Sequence, residues 1–215
     1  MYTAEQIANA LDLAVLRPTA RADDVRAACE MVRKNKIRTI CVAPTYVRLA
    51  VEQDVRVCAV IGFPHGTSTP SQKRDEAIDM MENGATELDV VINYGRLLDG
   101  DVTVVERELT AIVEAARPRH CVVKAILEAC YYTMPLLEDA GRLCVDLGVD
   151  FLKTSSGYGL HGANPQNVKA LLRAVEETDA QVKASGGIKS YNDAAKFLDL
   201  GCTRLGASRF KELLP

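Results

Sequence analysis

Short apolar runs rich in valine and isoleucine recur along the whole chain, separated by stretches with the periodicity of helices. Eight runs stand out: Leu11 to Leu16, Ile37 to Val42, Val55 to Phe63, Glu87 to Ile92, Cys121 to Leu127, Asp150 to Thr154, Gln181 to Ala184 and Thr203 to Gly206. Most lack the alternation of a half-exposed strand, as expected of parallel strands with both faces covered. The stretches between them read as crossover helices with recognisable ends. Val25, Ala28, Cys29 and Val32 fall on one helical stripe, and a shorter helix follows Pro44. Thr69 caps a helix with Pro70 in its first turn and Gly84 at its end. Asn164 and Pro165 repeat that start ahead of Val168, Leu171, Leu172 and Val175. Val104 to Ala116 and Met134 to Leu147 supply two more helices, stopped before Pro118 and at Gly148. Ser190 starts the last, with Ala194, Phe197 and Leu198 inward and Gly201 at its close.

Eight strands, seven crossovers and no proline-rich linker predict one α/β domain over residues 1–215: a single (β/α)8 TIM barrel with a short N-terminal helix. The alternative is an open doubly wound sheet, which calls for a G-x-G-x-x-G turn after an early strand, and no early strand is followed by one.

Composition narrows the partners. Of 215 residues, 48% are hydrophobic and 26% charged, the makeup of a folded chain rather than a disordered one. A net charge of −3 leaves no basic field for nucleic acid, so any anion has to be held by local groups. The first residues lack the basic start and apolar core of a signal peptide, and no run approaches the roughly 18 apolar residues of a membrane span. A cytoplasmic protein without a membrane partner is expected. Seven cysteines without a C-x-x-C pair read as reduced, mostly packed thiols, Cys41 near the expected barrel mouth among them. The histidines show no metal-ligand spacing. A homo-oligomer stays open, because surface and core apolar residues look alike in sequence.

In such a barrel, reactive groups collect at the carboxyl ends of the strands. Lys153 ends the sixth run and meets Thr154, Ser155, Ser156 and Gly157, which puts an amine beside a loop of hydroxyls and glycines. Asp89 lies in the fourth run, Lys124 and Glu128 in and just after the fifth, and Lys183 in the seventh. Buried charges are costly unless paired. These residues therefore form either an internal ion-pair network, such as Lys124 with Glu128 or Lys183 with Asp89, or a reaction centre. Lys153 and Lys183 fall on adjacent strands, about 4.8 Å apart. Two ammonium groups roughly 5 Å apart at an effective dielectric near 20 repel by about 3 kcal/mol, or about 2.4 pKa units. One lysine then titrates near about 8, where its neutral amine attacks a carbonyl to give a Schiff base.

Three glycine clusters complete the pattern. Ser155 to Gly159, Ser185 to Gly187, and Gly206 to Ser208 at the start of a short terminal helix all follow late strands. Backbone N–H groups there can face an anion, and the last two strands form the usual phosphate corner of this barrel. Together they point to a phosphorylated substrate.

With FLKTSSGYG, VKASGGI and ELDVVIN in place, and CVAP, IGFPHGTS, VKAILEA and TRLGAS beside them, the chain resembles the deoxyribose-phosphate aldolases, class I aldolases with a (β/α)8 barrel. The resemblance implies reversible cleavage of 2-deoxy-D-ribose 5-phosphate to acetaldehyde and glyceraldehyde 3-phosphate, with small phosphorylated sugars and aldehydes as partners and no metal or cofactor. It implies Lys153 as the Schiff-base residue, Lys183 favouring its neutral form, and Asp89 moving protons through water. Gly157, Gly186, Gly187, Ser208 and Ser156 fall on the phosphate side, with Lys124, Asp12 and Thr154 behind the reacting groups. The chain departs from the family pattern at Leu13 and Ala14, where a polar pair is usual, and at Ala43, where CVAP replaces a common CVNP. These changes bear on substrate preference. Rival readings are another Schiff-base aldolase with a different phosphorylated or non-phosphorylated substrate, a metal-free phosphosugar isomerase using Asp89 and Glu128, and a silent barrel that only binds a phosphometabolite.

Overall fold

The computed structural model describes residues 1–215. Its eight strands are β1 (Leu11–Val15), β2 (Thr39–Val42), β3 (Val57–Ile61), β4 (Glu87–Val91), β5 (Val122–Ile126), β6 (Phe151–Lys153), β7 (Gln181–Ser185) and β8 (Arg204–Ala207). They pair in parallel in chain order, and β8 returns to β1 to close the barrel. Each apolar run coincides with a strand, most of them trimmed where the backbone turns, while β7 and β8 run one residue further, to Ser185 and Ala207. The third run ends at Ile61 because Gly62 takes φ +60° and its N–H donates to Glu76 Oε2 at 2.8 Å.

The helices are α1 (Ala4–Ala10), α2 (Ala22–Asn35), α3 (Val47–Val51), α4 (Pro70–Glu82), α5 (Tyr94–Leu98), α6 (Val102–Ala116), α7 (Met134–Asp146), α8 (Pro165–Ala174) and α9 (Tyr191–Leu200). Their starts follow capping chemistry: Thr3 and Thr69 form capping boxes with Gln6 and Gln72, while Asn164 and Ser190 accept from the backbones of Asn167 and Asp193. Two details differ from the sequence reading. The short helix α5 follows β4, started by the Asn93 side chain, which accepts from Arg96 N. After β8 there is no α-helix, only a 3-10 turn at Lys211–Leu213, so Ser208 does not open a helix.

The main hydrophobic core lies outside the barrel wall. Alternate strand residues such as Leu88, Val90, Leu152, Val182 and Leu205 point outward and pack with Val25, Leu109 and Leu171 of the surrounding helices. The inward set is different. Besides Val91, Ile126 and Phe151 and a small cluster of Cys41, Cys58 and Val60, the interior holds Asp12, Thr39, Glu87, Asp89, Lys124, Lys153, Lys183 and Arg204, all buried. A second buried ion pair sits between helices: Lys73 of α4 reaches Glu108 of α6 at 2.6 Å and the Val91 carbonyl at 2.7 Å. Glu108 also accepts from Asn93 N at 2.7 Å, so the pair clamps the end of β4 against two helices.

Candidate active site

Asp89, in the middle of β4, is the hub of the interior. Its Oδ2 accepts from Lys153 Nζ at 2.5 Å and from Lys183 Nζ at 2.7 Å, and its Oδ1 from Lys124 Nζ at 2.9 Å and the Cys58 thiol at 3.2 Å. Around this hub, Lys124 lies 2.7 Å from Glu87, Lys183 also donates to Asp12, and Arg204 bridges Asp12 and Glu87 at 2.6 and 2.9 Å. Sheet register explains the meeting. Asp89 is paired beside Lys124, Lys153 beside Lys183, and Lys183 beside Arg204. All point inward, so closure of the barrel brings them together.

The electrostatics follow from this packing. Burial alone raises the Asp89 carboxyl, but the ammoniums of Lys124, Lys153 and Lys183 overcome it and hold the group well below the usual carboxylate range. Asp12 and Glu87 are lowered in the same way, burial being outweighed chiefly by Lys183 and Lys124 respectively. The amines of Lys153 and Lys183 do sit on one oxygen, Asp89 Oδ2. Burial pulls Lys183 down, yet Asp12 and Asp89 outweigh it and hold that amine above its ordinary value. The carboxylates that a picture of two isolated cations leaves out reverse the sign for Lys183.

The ion-pair network and the candidate site are thus one constellation. Lys183 pairs with Asp89 as the network reading expects, but Lys124 pairs with Asp89 and Glu87 and not with Glu128. Glu128 instead turns to the loop after β6, accepting from Ser156 N at 3.2 and 3.3 Å and from the Ser156 hydroxyl. It does so from a left-handed backbone, φ +54°.

A cavity of about 740 Å³ opens over the hub and reaches Asp12, Lys153 and Lys183 at its floor. Lys153 is 3% exposed while Asp89 beneath it is fully buried. Gly157, Gly186, Gly187 and Ser208 line the same cavity on the side of β6 to β8. Gly157 and Gly187 adopt φ +94° and +78° with open space where a Cβ would stand. Gly162 is needed for close approach, since a Cβ on it would fall 2.1 Å from the Gly186 carbonyl oxygen. Thr154 stitches this wall together: its hydroxyl donates to Ser185 O at 3.1 Å and accepts from Ser185 N at 3.0 Å. Ser156 lines the cavity, with its N–H and hydroxyl both engaged by Glu128.

The wall formed by β1 to β3 is apolar. Leu13 belongs to the outer core, Ala14 pairs with Cys41, and Ala14, Leu16 and Phe63 pack on the Cys41, Cys58 and Val60 cluster. Ala43 begins the turn after β2. Tyr158 crosses the mouth, its hydroxyl donating to Leu16 O at 2.7 Å and its ring set edge-on to Phe63 at 5.5 Å.

Comparison with known proteins decides the family. A family model described as "DeoC/LacD family aldolase" matches residues 6–208. The chain belongs to the DeoC/LacD aldolase family. Relatives of this aldolase include the deoxyribose-phosphate aldolase of Bacillus cytotoxicus, 41% identical over 94% of this chain and 92% of the relative. That of Treponema denticola is 38% identical over 92% of this chain and 93% of the relative. Among solved structures, the deoxyribose phosphate aldolase from Aeropyrum pernix, described as tetrameric, superposes with a TM-score of 0.91 at 33% identity, covering 98% of this chain and 90% of that one. No helix of this DeoC/LacD aldolase is long and apolar enough to cross a membrane.

Two interior charges went unassigned in the sequence reading. Glu87 was visible only as the first residue of an apolar run, although its position two before Asp89 puts both on one strand face. Arg204 stood inside TRLGAS, where the glycine drew the reading toward anion binding. An arginine within an otherwise buried strand was the signal.

Proposed function

We propose that the chain is a class I aldolase that reversibly cleaves 2-deoxy-D-ribose 5-phosphate to acetaldehyde and D-glyceraldehyde 3-phosphate. The observation that carries this reading is the meeting of two lysine amines on one oxygen of a buried carboxylate, beneath a cavity walled by glycines. In this reading the Lys153 amine adds to the substrate aldehyde, and loss of water from the carbinolamine gives an iminium. The iminium draws the electrons of the breaking C2–C3 bond as the C3 hydroxyl gives up its proton, releasing glyceraldehyde 3-phosphate and leaving an enamine. Protonation of the enamine and hydrolysis release acetaldehyde and restore the amine. An iminium keeps the positive charge of the ammonium it replaces, so Asp89 serves both states. Asp89, through water, is the proton carrier, and Lys183 supplies a second cation against the same oxygen. Lys124 and Asp12 hold these groups in register, and Thr154 holds the loop. Gly157, Gly186, Gly187 and Ser208 receive the phosphate.

The reaction belongs in the cytoplasm in this reading, which suits seven free thiols. Association into a homo-oligomer is part of it too, and light scattering that returns a monomer removes that part. The deciding experiment reduces a mixture of protein and deoxyribose 5-phosphate with borohydride and maps the adduct by mass spectrometry. A stable adduct on Lys153 is expected. Turnover without any adduct would leave an isomerase, working by acid-base chemistry alone, as the better description.

A further inference from the structure

Cys41 and Cys58 have no part in the chemistry above, yet they occupy the wall of the same cavity and the underside of its hub. They are directly paired residues on the parallel strands β2 and β3, both inward, in the small apolar cluster of the barrel interior. Their sulfurs and a carboxylate oxygen of Asp89 lie within 4.8 Å of one another. Paired residues on adjacent parallel strands have backbones about 4.8 Å apart, inside the range a disulfide spans, and side chains on the inner wall of a closed barrel converge further. A cation shared by these three groups is disfavoured, because Asp89 already accepts from three ammoniums.

We propose that Cys41 and Cys58 are a paired dithiol, oxidised by a small peroxide to a disulfide inside the barrel that slows the site reversibly. The two thiols differ in a way that assigns their parts. Cys41 lines the cavity, so a small oxidant reaches it, whereas Cys58 is fully buried behind it. The hydrogen bond with Cys58 and the nearby ammoniums of Lys183 and Lys153 lower the Cys41 thiol despite burial and Asp89. Burial, Cys41 and Asp89 raise the Cys58 thiol, so it stays protonated. Cys41 is therefore the attacking sulfur and Cys58 the resolving one. Cys41 takes one oxygen of hydrogen peroxide, forming a sulfenic acid and releasing water. The Cys58 sulfur then displaces hydroxide from the Cys41 sulfur, forming the S–S bond, and the Cys58 proton leaves with that hydroxide as a second water. Two thiols are oxidised by two electrons and one peroxide is reduced.

The consequence for the site is direct. In the reduced protein the Cys58 thiol donates to Asp89 Oδ1 at 3.2 Å and accepts from Lys124 at 3.3 Å. The disulfide removes that donor from the hub and draws the cavity wall inward. Cys41 lines the cavity, so a small thiol reductant reaches the bond as the peroxide does, which suits a switch rather than a structural staple.

The test treats the intact protein with hydrogen peroxide, blocks remaining thiols, digests with trypsin without reductant and follows mass and turnover together. The expected product joins peptide Thr39–Arg48 to peptide Val57–Lys73, which the cut after Arg56 otherwise separates. It should form before half-buried Cys130 is modified. Turnover should fall by about ten-fold, the loss of one hydrogen bond to a charged group, and return with dithiothreitol. In Cys58→Ser, excess peroxide should carry Cys41 to a sulfinic acid that dithiothreitol does not reverse. Absence of the linked peptide, or modification of Cys130 first, overturns the proposal. A linked peptide with unchanged turnover overturns the switch. The peptide mass reads the dithiol whether or not deoxyribose 5-phosphate is the substrate, so the two readings fail separately.

Discussion

Replacing Asp89 with asparagine puts the hub to its most direct test. The amide keeps the shape of the carboxylate but not its charge, and one of its two ends becomes a donor facing ammonium groups. In the parent, four interior cations (Lys124, Lys153, Lys183 and Arg204) face three anions (Asp12, Glu87 and Asp89). The variant leaves those four cations facing Asp12 and Glu87 alone, in the buried interior of the barrel. Removing one partner of a buried pair costs about 3–5 kcal/mol. For a chain of this size that lowers the thermal midpoint by roughly 6–20 °C, part of it recovered if a lysine sheds its proton. Turnover should fall by about 10²–10⁴, the range of general acid-base catalysis, while borohydride still traps an adduct on Lys153 more slowly. Circular dichroism melts and release of glyceraldehyde 3-phosphate measure the two effects. A variant melting within roughly 2 °C of the parent and turning over within about ten-fold of it would refute both the hub and the proton carrier.

Other consequences are open to measurement. Lys73→Met should cost about 3–5 kcal/mol in urea unfolding by stranding Glu108, and the double variant Lys73→Met/Glu108→Leu should recover most of that; a double-variant loss equal to the sum of the Lys73→Met and Glu108→Leu losses would mean the pair is not coupled. Glu128→Gln weakens the anchor on Ser156 and should raise KM for deoxyribose 5-phosphate by roughly ten-fold with little change in kcat. An equal loss on non-phosphorylated deoxyribose would contradict a role at the phosphate side. Stability should be flat between about pH 5 and 9 and fall on both sides. Asp12, Glu87 and Asp89 are depressed in the fold, so their contribution is complete above the unfolded carboxylate range of about 4 and is lost as pH drops through the lower folded values. Lys124 and Lys183 are raised, so theirs is complete below about 10.4 and is lost as pH climbs through the folded values. Glu108 and Glu128, raised by burial, act in the opposite sense in acid. A urea midpoint that keeps rising into acid would show that the last two dominate.

The barrel was legible because its evidence is local and repeated: apolar runs of strand length, capped crossovers, and a count that closes at eight. Lys153, Lys183, Asp89 and Lys124 were legible because charge inside a buried strand is conspicuous. What remained hidden depends on closure. Arg204 and Asp12 meet although 192 residues separate them, and Lys73 finds Glu108 across two helices whose faces look solvated in sequence. The raised value at Lys183 lay out of reach for the same reason, since adjacent strands can be paired on paper but the carboxylates arriving from β1 and β4 cannot. The contact of Ser156 with Glu128 was hidden as well, because it is made from one left-handed residue.

The barrel has its grease on the outside and its ions within, and that inversion sets a limit on how such a protein can be improved. Apolar replacements of a buried ion network are often neutral or stabilising by about 1–4 kcal/mol. Repacking the lumen with leucine and valine should therefore yield a sturdier barrel that has lost its chemistry. Robustness sought there will be won against turnover, whereas robustness sought in the helical shell, where Leu109, Leu171 and their neighbours pack, leaves the reacting groups untouched.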